Sequence, residues 1–218
     1  MLQNIYSEIA NRLQNFPTQW DGKVSILKMR DGNSPHWRQM EWVGFYFQFL
    51  CEEYLDGLFQ FQTPTYDKVF FDGFYTIPFD FKAHVANTRK VPLNDSEAML
   101  SAIKEYGSIG IILALGEAEY DDVEKTFRRW HEEIKGELSE YVKEGEQINR
   151  KSRRRKQSFV LSKILIIEIT DNTLEKCGSF QKGFRNSNGR PRRGKFQLDL
   201  KKIDEELIHT IEYKEDLQ

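Results

Sequence analysis

The stretch FFDGFYTIPFDFKAH at 70–84 gathers the residue types that metal-assisted hydrolysis uses. Asp72 sits near the end of one expected strand, and Asp80 and Lys82 stand two apart on the next. Strand side chains alternate between faces. Asp80, Lys82 and His84 therefore point one way, and Phe79, Phe81 and Ala83 the other. The apolar trio requires a core. The remaining face sets two acids and an ammonium on one side of a β-hairpin. Two carboxylates can hold a hard divalent cation through oxygen. A neighbouring lysine can orient water for attack on a phosphate, which completes a minimal kit for phosphodiester hydrolysis.

The elements around this hairpin, expected over 67–86, follow from periodicity and breakers. LQNIYSEIANRLQ (2–14) reads as an amphipathic helix, VSILKM (24–29) as a short strand and DGNSP (31–35) as a loop. HWRQMEWVGFYFQFLCEEYL (36–55) reads as a buried helix carrying Glu41, although Gly44 and the β-formers Phe45, Tyr46 and Phe47 could support a strand. DSEAMLSAIKEYG (95–107) reads as a helix that Asp95 or Asn94 can cap at its start and Gly107 can end. SIGIILALG (108–116) and FVLSKILIIEI (159–169) are apolar runs of strand length, expected to be covered on both faces. A long helix, open to a break near Gly136, is expected over 120–147, a loop over 183–195, a strand over 196–200 and a closing helix over 201–213. This order gives a mixed α/β (α+β) fold, a central mixed sheet flanked by helices, in one domain spanning 1–218.

The formal net charge of −2 conceals a division. Residues 143–195 hold 15 Lys/Arg against 5 Asp/Glu, so the rest of the chain carries −12. A basic segment on an acidic protein suits a polyanion held locally, such as nucleic acid. Within it, NRKSRRRK (149–156) offers Arg153, Arg154, Arg155 and Lys156 as phosphate contacts. FRNSNGRPRRGKF (184–196) offers Arg185, Asn186, Asn188, Arg190, Arg192 and Arg193 on a loop shaped by Gly and Pro. Arginine can pair with guanine and asparagine with adenine, or both can contact phosphate and set register. Cys51 and Cys177 form no CxxC or zinc pattern, which fits a reducing compartment. Residues 1–20 lack a signal pattern, and no apolar run approaches about 18 residues, so neither export nor membrane insertion is expected.

The spacing Asp72, then Asp80-x-Lys82, resembles the PD-(D/E)xK nuclease superfamily, and within it the type II restriction endonucleases. That family carries an acid at the end of one strand and an acid-x-Lys on its neighbour, often with a carboxylate on a preceding helix, the place of Glu41 here. Phe71 stands where the family has proline, and Asp80 where glutamate is commoner. The resemblance implies a restriction-endonuclease-like core over about 36–143, with the basic part at about 149–196 in the same domain. It implies Asp72, Asp80, Lys82 and Glu41 as catalytic residues. Mg²⁺ would be held by Asp72, Asp80, Glu41 and the Phe81 carbonyl. It implies site-specific cleavage of double-stranded DNA to 5′-phosphate and 3′-hydroxyl ends, by a homodimer in a bacterial or archaeal cytoplasm, beside a protective methyltransferase. Two alternatives stay open: a structure-specific or repair nuclease of the same superfamily, and a nucleic-acid-binding protein without catalysis. Asp67 is a rival to Asp72 as first acid, and an Asp-Gly pair is also an ordinary hairpin turn.

Overall fold

The two apolar runs become the central strands of a six-stranded mixed sheet. We analysed a computed structural model that describes residues 2–63, 65–66, 69–136, 154–181, 183–185 and 189–213. Strands β1 (Gln19–Asp21), β4 (Gly73–Tyr75), β5 (Ile77–Val85), β7 (Ile109–Tyr120), β8 (Lys156–Ile169) and β11 (Ile208–Glu212) form the main sheet. The order is β1-β8-β7-β5-β4, with β11 also on β8. Only the β5–β7 pair is parallel; β7–β8, β4–β5, β1–β8 and β11–β8 are antiparallel. A second sheet, β6 (Lys90–Asp95), β10 (Lys195–Asp199) and β9 (Gly178–Phe180), runs in the order β6-β10-β9. Strands β2 (Thr65–Tyr66) and β3 (Val69–Phe70) make a separate small pair.

Alternation along β7 sorts its residues into two cores. Ile112 and Ala114 join a cluster with helices α1 (Leu2–Leu13), α2 (Gly22–Asp31) and α3 (Trp42–Tyr54). Ile109, Ile111, Leu113 and Leu115 join the opposite cluster, with Val91 and Leu93 of β6, Met99 and Ala102 of α4 (Ser96–Tyr106), and Leu198 of β10. The main sheet is therefore buried on both faces, as apolar runs of this kind require. The first core is aromatic: Trp20 stacks on Phe159 with centroids 4.9 Å apart, and Phe16, Tyr46 and Phe47 surround them. Helix α4 has the expected ends. Asp95 accepts from the Glu97 and Ala98 amides, and Gly107 adopts φ 84°, the left-handed region that favours glycine.

Four sequence expectations are corrected. Residues 24–29 lie in helix α2, because Gly22, Ser25, Ile26 and Met29 form one buried face at helical spacing and the Asp21 carboxylate caps the Val24 amide at 2.9 Å. The helix expected over 36–55 is interrupted: a 3-10 turn covers Pro35–Arg38 and α3 begins only at Trp42. The helix expected from 120 gives way to strand up to Tyr120, since β8 is long enough to pair Tyr120 with Lys156; its expected stretch 137–147 lies outside the described residues. Helix α5 (Thr126–Ile134) starts where Asp121 accepts from the Phe127 and Arg128 amides. The closing helix is instead two 3-10 turns followed by β11, which pairs with β8 from Ile208 to Glu212 and buries Ile211. An unpaired stretch of β8 edge draws the segment in, overriding its charged, helix-like composition. Strands β1 and β6 lacked a clear sequence signal; Pro92 in β6 is tolerated because β6 is an edge strand.

Parallel pairing of β5 with β7 depends on Gly110, which lies opposite Phe79. A Cβ there would overlap the Phe79 ring, which is fully buried. Gly110→Ala should therefore destabilise the protein by about 1–3 kcal/mol. A lower urea midpoint with unchanged slope checks this.

Candidate active site

Asp72 and Asp80 meet through the hairpin formed by β4 and β5. Tyr75 faces Ile77 across one residue, Thr76, whose φ of 60° is a strained value for a β-branched side chain. Regular pairing ends at Gly73 opposite Phe79. The Asp72 amide still donates to the Phe79 carbonyl at 2.9 Å. Its carboxylate then takes over the ladder, Oδ2 accepting from the Phe81 amide at 2.7 Å. The N–H and C=O of a strand residue point to the same edge, so the Phe81 carbonyl also faces the Asp72 side, where β4 has already ended.

Asp80 lies one residue before that carbonyl and on the other face of β5. It stands opposite Ile111, and Lys82 opposite Leu113, so both share a face with the second apolar core. Asp80 is 3% exposed. Its Oδ2 lies 2.9 Å from Lys82 Nζ as an ion pair, yet makes no hydrogen bond of adequate geometry; its Oδ1 accepts from Asn94 Nδ2 at 3.3 Å. The same amide donates to the Phe70 carbonyl at 3.1 Å, so the end of β6 joins β3 to β5. Burial, then the charge of Asp80, push the Asp72 carboxyl up to about 7, against the opposing effects of the Phe81 amide and Lys82. Burial works to lower the Lys82 ammonium, but the flanking Asp80 and Asp72 carboxylates leave it above its ordinary value.

The second sheet brings positive charge to this face. Lys195 opens β10 opposite Asp95, the residue after Asn94. It is half-buried, and burial followed by the charge of Lys82 lowers its ammonium. Gly194 accepts from the Ser96 amide and hydroxyl at 3.0 and 3.1 Å, and Arg193 lies 3.8 Å from Asp95. The basic loop is thus rooted beside Asp80 and Lys82. Its strands draw together where Arg185 bridges to Pro191, Arg192 donates its amide to Phe184 and Arg185 Nη1 donates to the Gly189 carbonyl at 2.8 Å. Arg185, Arg190, Arg192 and Arg193 are exposed on it. Asn186, Asn188, Arg153 and the rival acid Asp67 lie outside the described residues.

Glu41 and Arg155 take places other than those expected from sequence. Glu41 precedes α3, is 81% exposed at its side chain and pairs with Lys156 at 3.4 Å. That pair lies near His84, whose imidazole is held below its ordinary value by burial and by Lys82 and Lys156. The carboxylate of α3 nearest Asp72 in its electrostatic influence is Glu52, which sequence reasoning missed. Phe45, Gln48 and Glu52 share a helix stripe and, with Asp72, line one cavity. Burial raises the Glu52 carboxyl, partly offset by the Gln48 amide 3.2 Å away. The signal was available in the spacing of 45, 48 and 52, but it needed the true start of the helix.

Arg155 is buried, where DNA contact had been expected. Its Nη2 donates to Glu132 Oε1 at 2.6 Å and its Nη1 lies 3.4 Å from His131 Nδ1. His131 Nε2 lies 3.0 Å from the Trp37 carbonyl, which fits a neutral ring donating from Nε2. Burial, then the Lys135 charge, lower that imidazole to about 4. Arg154 remains exposed, and Lys156 is half-buried beside Glu41.

A divalent metal fits the Asp72–Asp80 corner on the donor set itself. Asp80 Oδ2 is a buried acceptor with unused capacity, and the Asp72 carboxylate and the Phe81 carbonyl supply further oxygens. Among the described residues no three His, Cys, Asp or Glu side chains converge to hold a metal ion, so the corner offers two carboxylates and a backbone carbonyl and no third acidic side chain. No protein-family model, curated protein or solved structure matches the chain.

Between about pH 4 and 7 the folded protein keeps a proton on Asp72 that the unfolded chain has released, so this group costs stability as pH rises through that window. In EDTA, Asp72→Asn should therefore be more stable than wild type at pH 8, by about 1–2 kcal/mol, and the gain should vanish toward pH 4. Denaturant unfolding at a series of pH values measures it. Arg155→Met should lower stability by about 3 kcal/mol, because it leaves Glu132 buried with only the longer ion pair to Lys135 at 3.6 Å. Thermal unfolding checks that loss.

Proposed function

We propose that the chain is a Mg²⁺-dependent endonuclease of the PD-(D/E)xK kind, with a restriction-endonuclease-like core, acting on double-stranded DNA. The observation that carries this reading is Asp80 Oδ2, a buried carboxylate oxygen beside Lys82 with no well-formed hydrogen bond, at a corner shared with Asp72. A surface ion pair would not be buried in this way, and a buried structural pair ordinarily has its remaining capacity satisfied. The second support is the root of the arginine loop at Lys195 and Asp95, on the same side of the sheet.

Asp72, Asp80 and the Phe81 carbonyl would hold Mg²⁺, which when bound supplies Lewis-acid stabilisation of charge developing on the phosphate. Lys82 stays an ammonium at neutral pH, so it donates: it orients the attacking water and supports charge on a non-bridging oxygen. Asp80 holds Lys82 in place. The water oxygen bonds to phosphorus as its proton passes to solvent, the bond from phosphorus to the 3′ oxygen breaks, and that oxygen takes up a proton from solvent, leaving a 5′-phosphate and a 3′-hydroxyl. Glu41 drops out of the proposed metal shell, since it is exposed and paired with Lys156. Arg185, Arg190, Arg192 and Arg193 would contact the DNA beyond the cut. Twofold pairing of two chains, one for each strand, belongs to the same reading.

Plasmid DNA should be cut in Mg²⁺ and left intact in EDTA. Asp80→Ala and Lys82→Ala should each lower the rate by about 100-fold or more while DNA binding persists. Full activity in either purified variant would overturn the assignment. Discrete fragments support sequence-specific cleavage, and a preference for branched DNA would move the chain to the structure-specific class.

A further inference from the structure

A cavity of about 520 Å³ opens between α3 and the segment leading into β4, and Asp72 forms part of its lining. We propose that it is a nucleobase subsite, which receives one amine-bearing base of the strand whose phosphodiester lies at Asp72 and Asp80. This inference rests on the nuclease reading and deepens it.

The walls suit a flat, neutral, hydrogen-bonding ring. His36 and Phe45 stack on each other with centroids 4.5 Å apart and planes 15° from parallel, giving the cavity a rigid aromatic side. Phe70, also in the lining, leaves 61% of its surface exposed. An exposed phenylalanine ring beside a cavity with amide and carboxyl groups in its lining is a stacking platform of the sort that holds unpaired bases. Gln48 and Gln62 line the same space and provide amide donors and acceptors. The volume lies within the range of about 300–1,000 Å³ in which small-molecule sites fall.

Charge decides which part of a nucleotide enters. Glu52 and Asp72 make one end of the cavity acidic, so a phosphate is repelled there unless a cation intervenes. Carboxylates and glutamine amides accept readily from an exocyclic amine. Adenine, cytosine and guanine carry one, and thymine does not. The phosphodiester would rest on the Asp80 side of Asp72 and the base on the Glu52 side, so Asp72 divides the two. In a duplex the base must leave the stack to reach the cavity, as in enzymes that extrude a nucleotide.

The test titrates the full chain in Mg²⁺ with dAMP, dCMP, dTMP and 2-deoxyribose 5-phosphate, by calorimetry or NMR. Plasmid cleavage is assayed in parallel. Binding of dAMP or dCMP about tenfold tighter than the base-free sugar phosphate, with dTMP weaker, is the expected result. Phe70→Ala and Gln62→Ala alter exposed side chains and should erase that preference without unfolding the protein. Equal affinity for all four ligands, with DNA still cut, overturns the subsite and leaves the nuclease reading standing. A base preference lost in Phe70→Ala, but with no DNA cleavage in Mg²⁺, supports the nucleotide cavity and overturns the nuclease reading instead.

Discussion

Burial of the Asp80 carboxylate on β5, against Lys82, is the constraint around which the site is arranged. A charge taken out of water costs several kcal/mol, and its attraction to a partner offsets that only where geometry and hydrogen bonding are good. Here Oδ1 accepts from Asn94, and Oδ2 has only the ion pair with Lys82. Replacing both groups with apolar residues would suit the Ile111 and Leu113 face better. Stability alone does not call for this arrangement, and the proposed function is built on that excess.

The sheet makes the corner possible by burying β5 from both sides. Phe79 and Phe81 enter the aromatic core under α3, and Gly110 leaves room for the Phe79 ring. On the opposite face, β6 and β10 close over the strand and deliver Asn94 and Lys195. Asp72 stands between these two worlds, its carboxylate in the plane of the sheet and its charge felt by both Asp80 and Glu52. One tight corner at Thr76 therefore sets the distance between the two acids.

Much of this was legible in the residues. The period-two pattern of 77–84 is a local property, and it assigns Asp80 and Lys82 to one face whatever surrounds them. The apolar runs of β7 and β8 and the caps of α4 are equally local. What escaped depended on partners distant in sequence. The fate of 201–213 was decided by the free edge of β8, and the end of β7 by the length of its partner. Arg155 looked like its basic neighbours, and only Glu132 and His131, more than twenty residues upstream, draw it inside.

The sequence by itself determined which side chains share a face and which segments must be buried, because backbone periodicity and apolar content act over a few residues. Tertiary structure decided which carboxylates meet. Asp72 comes near Asp80 because β4 begins only at Gly73, and Glu52 rather than Glu41 shares a cavity with it because α3 starts at Trp42 and turns a different stripe inward. Such choices turn on register and on where an element begins, and those are settled by packing between segments far apart in the chain.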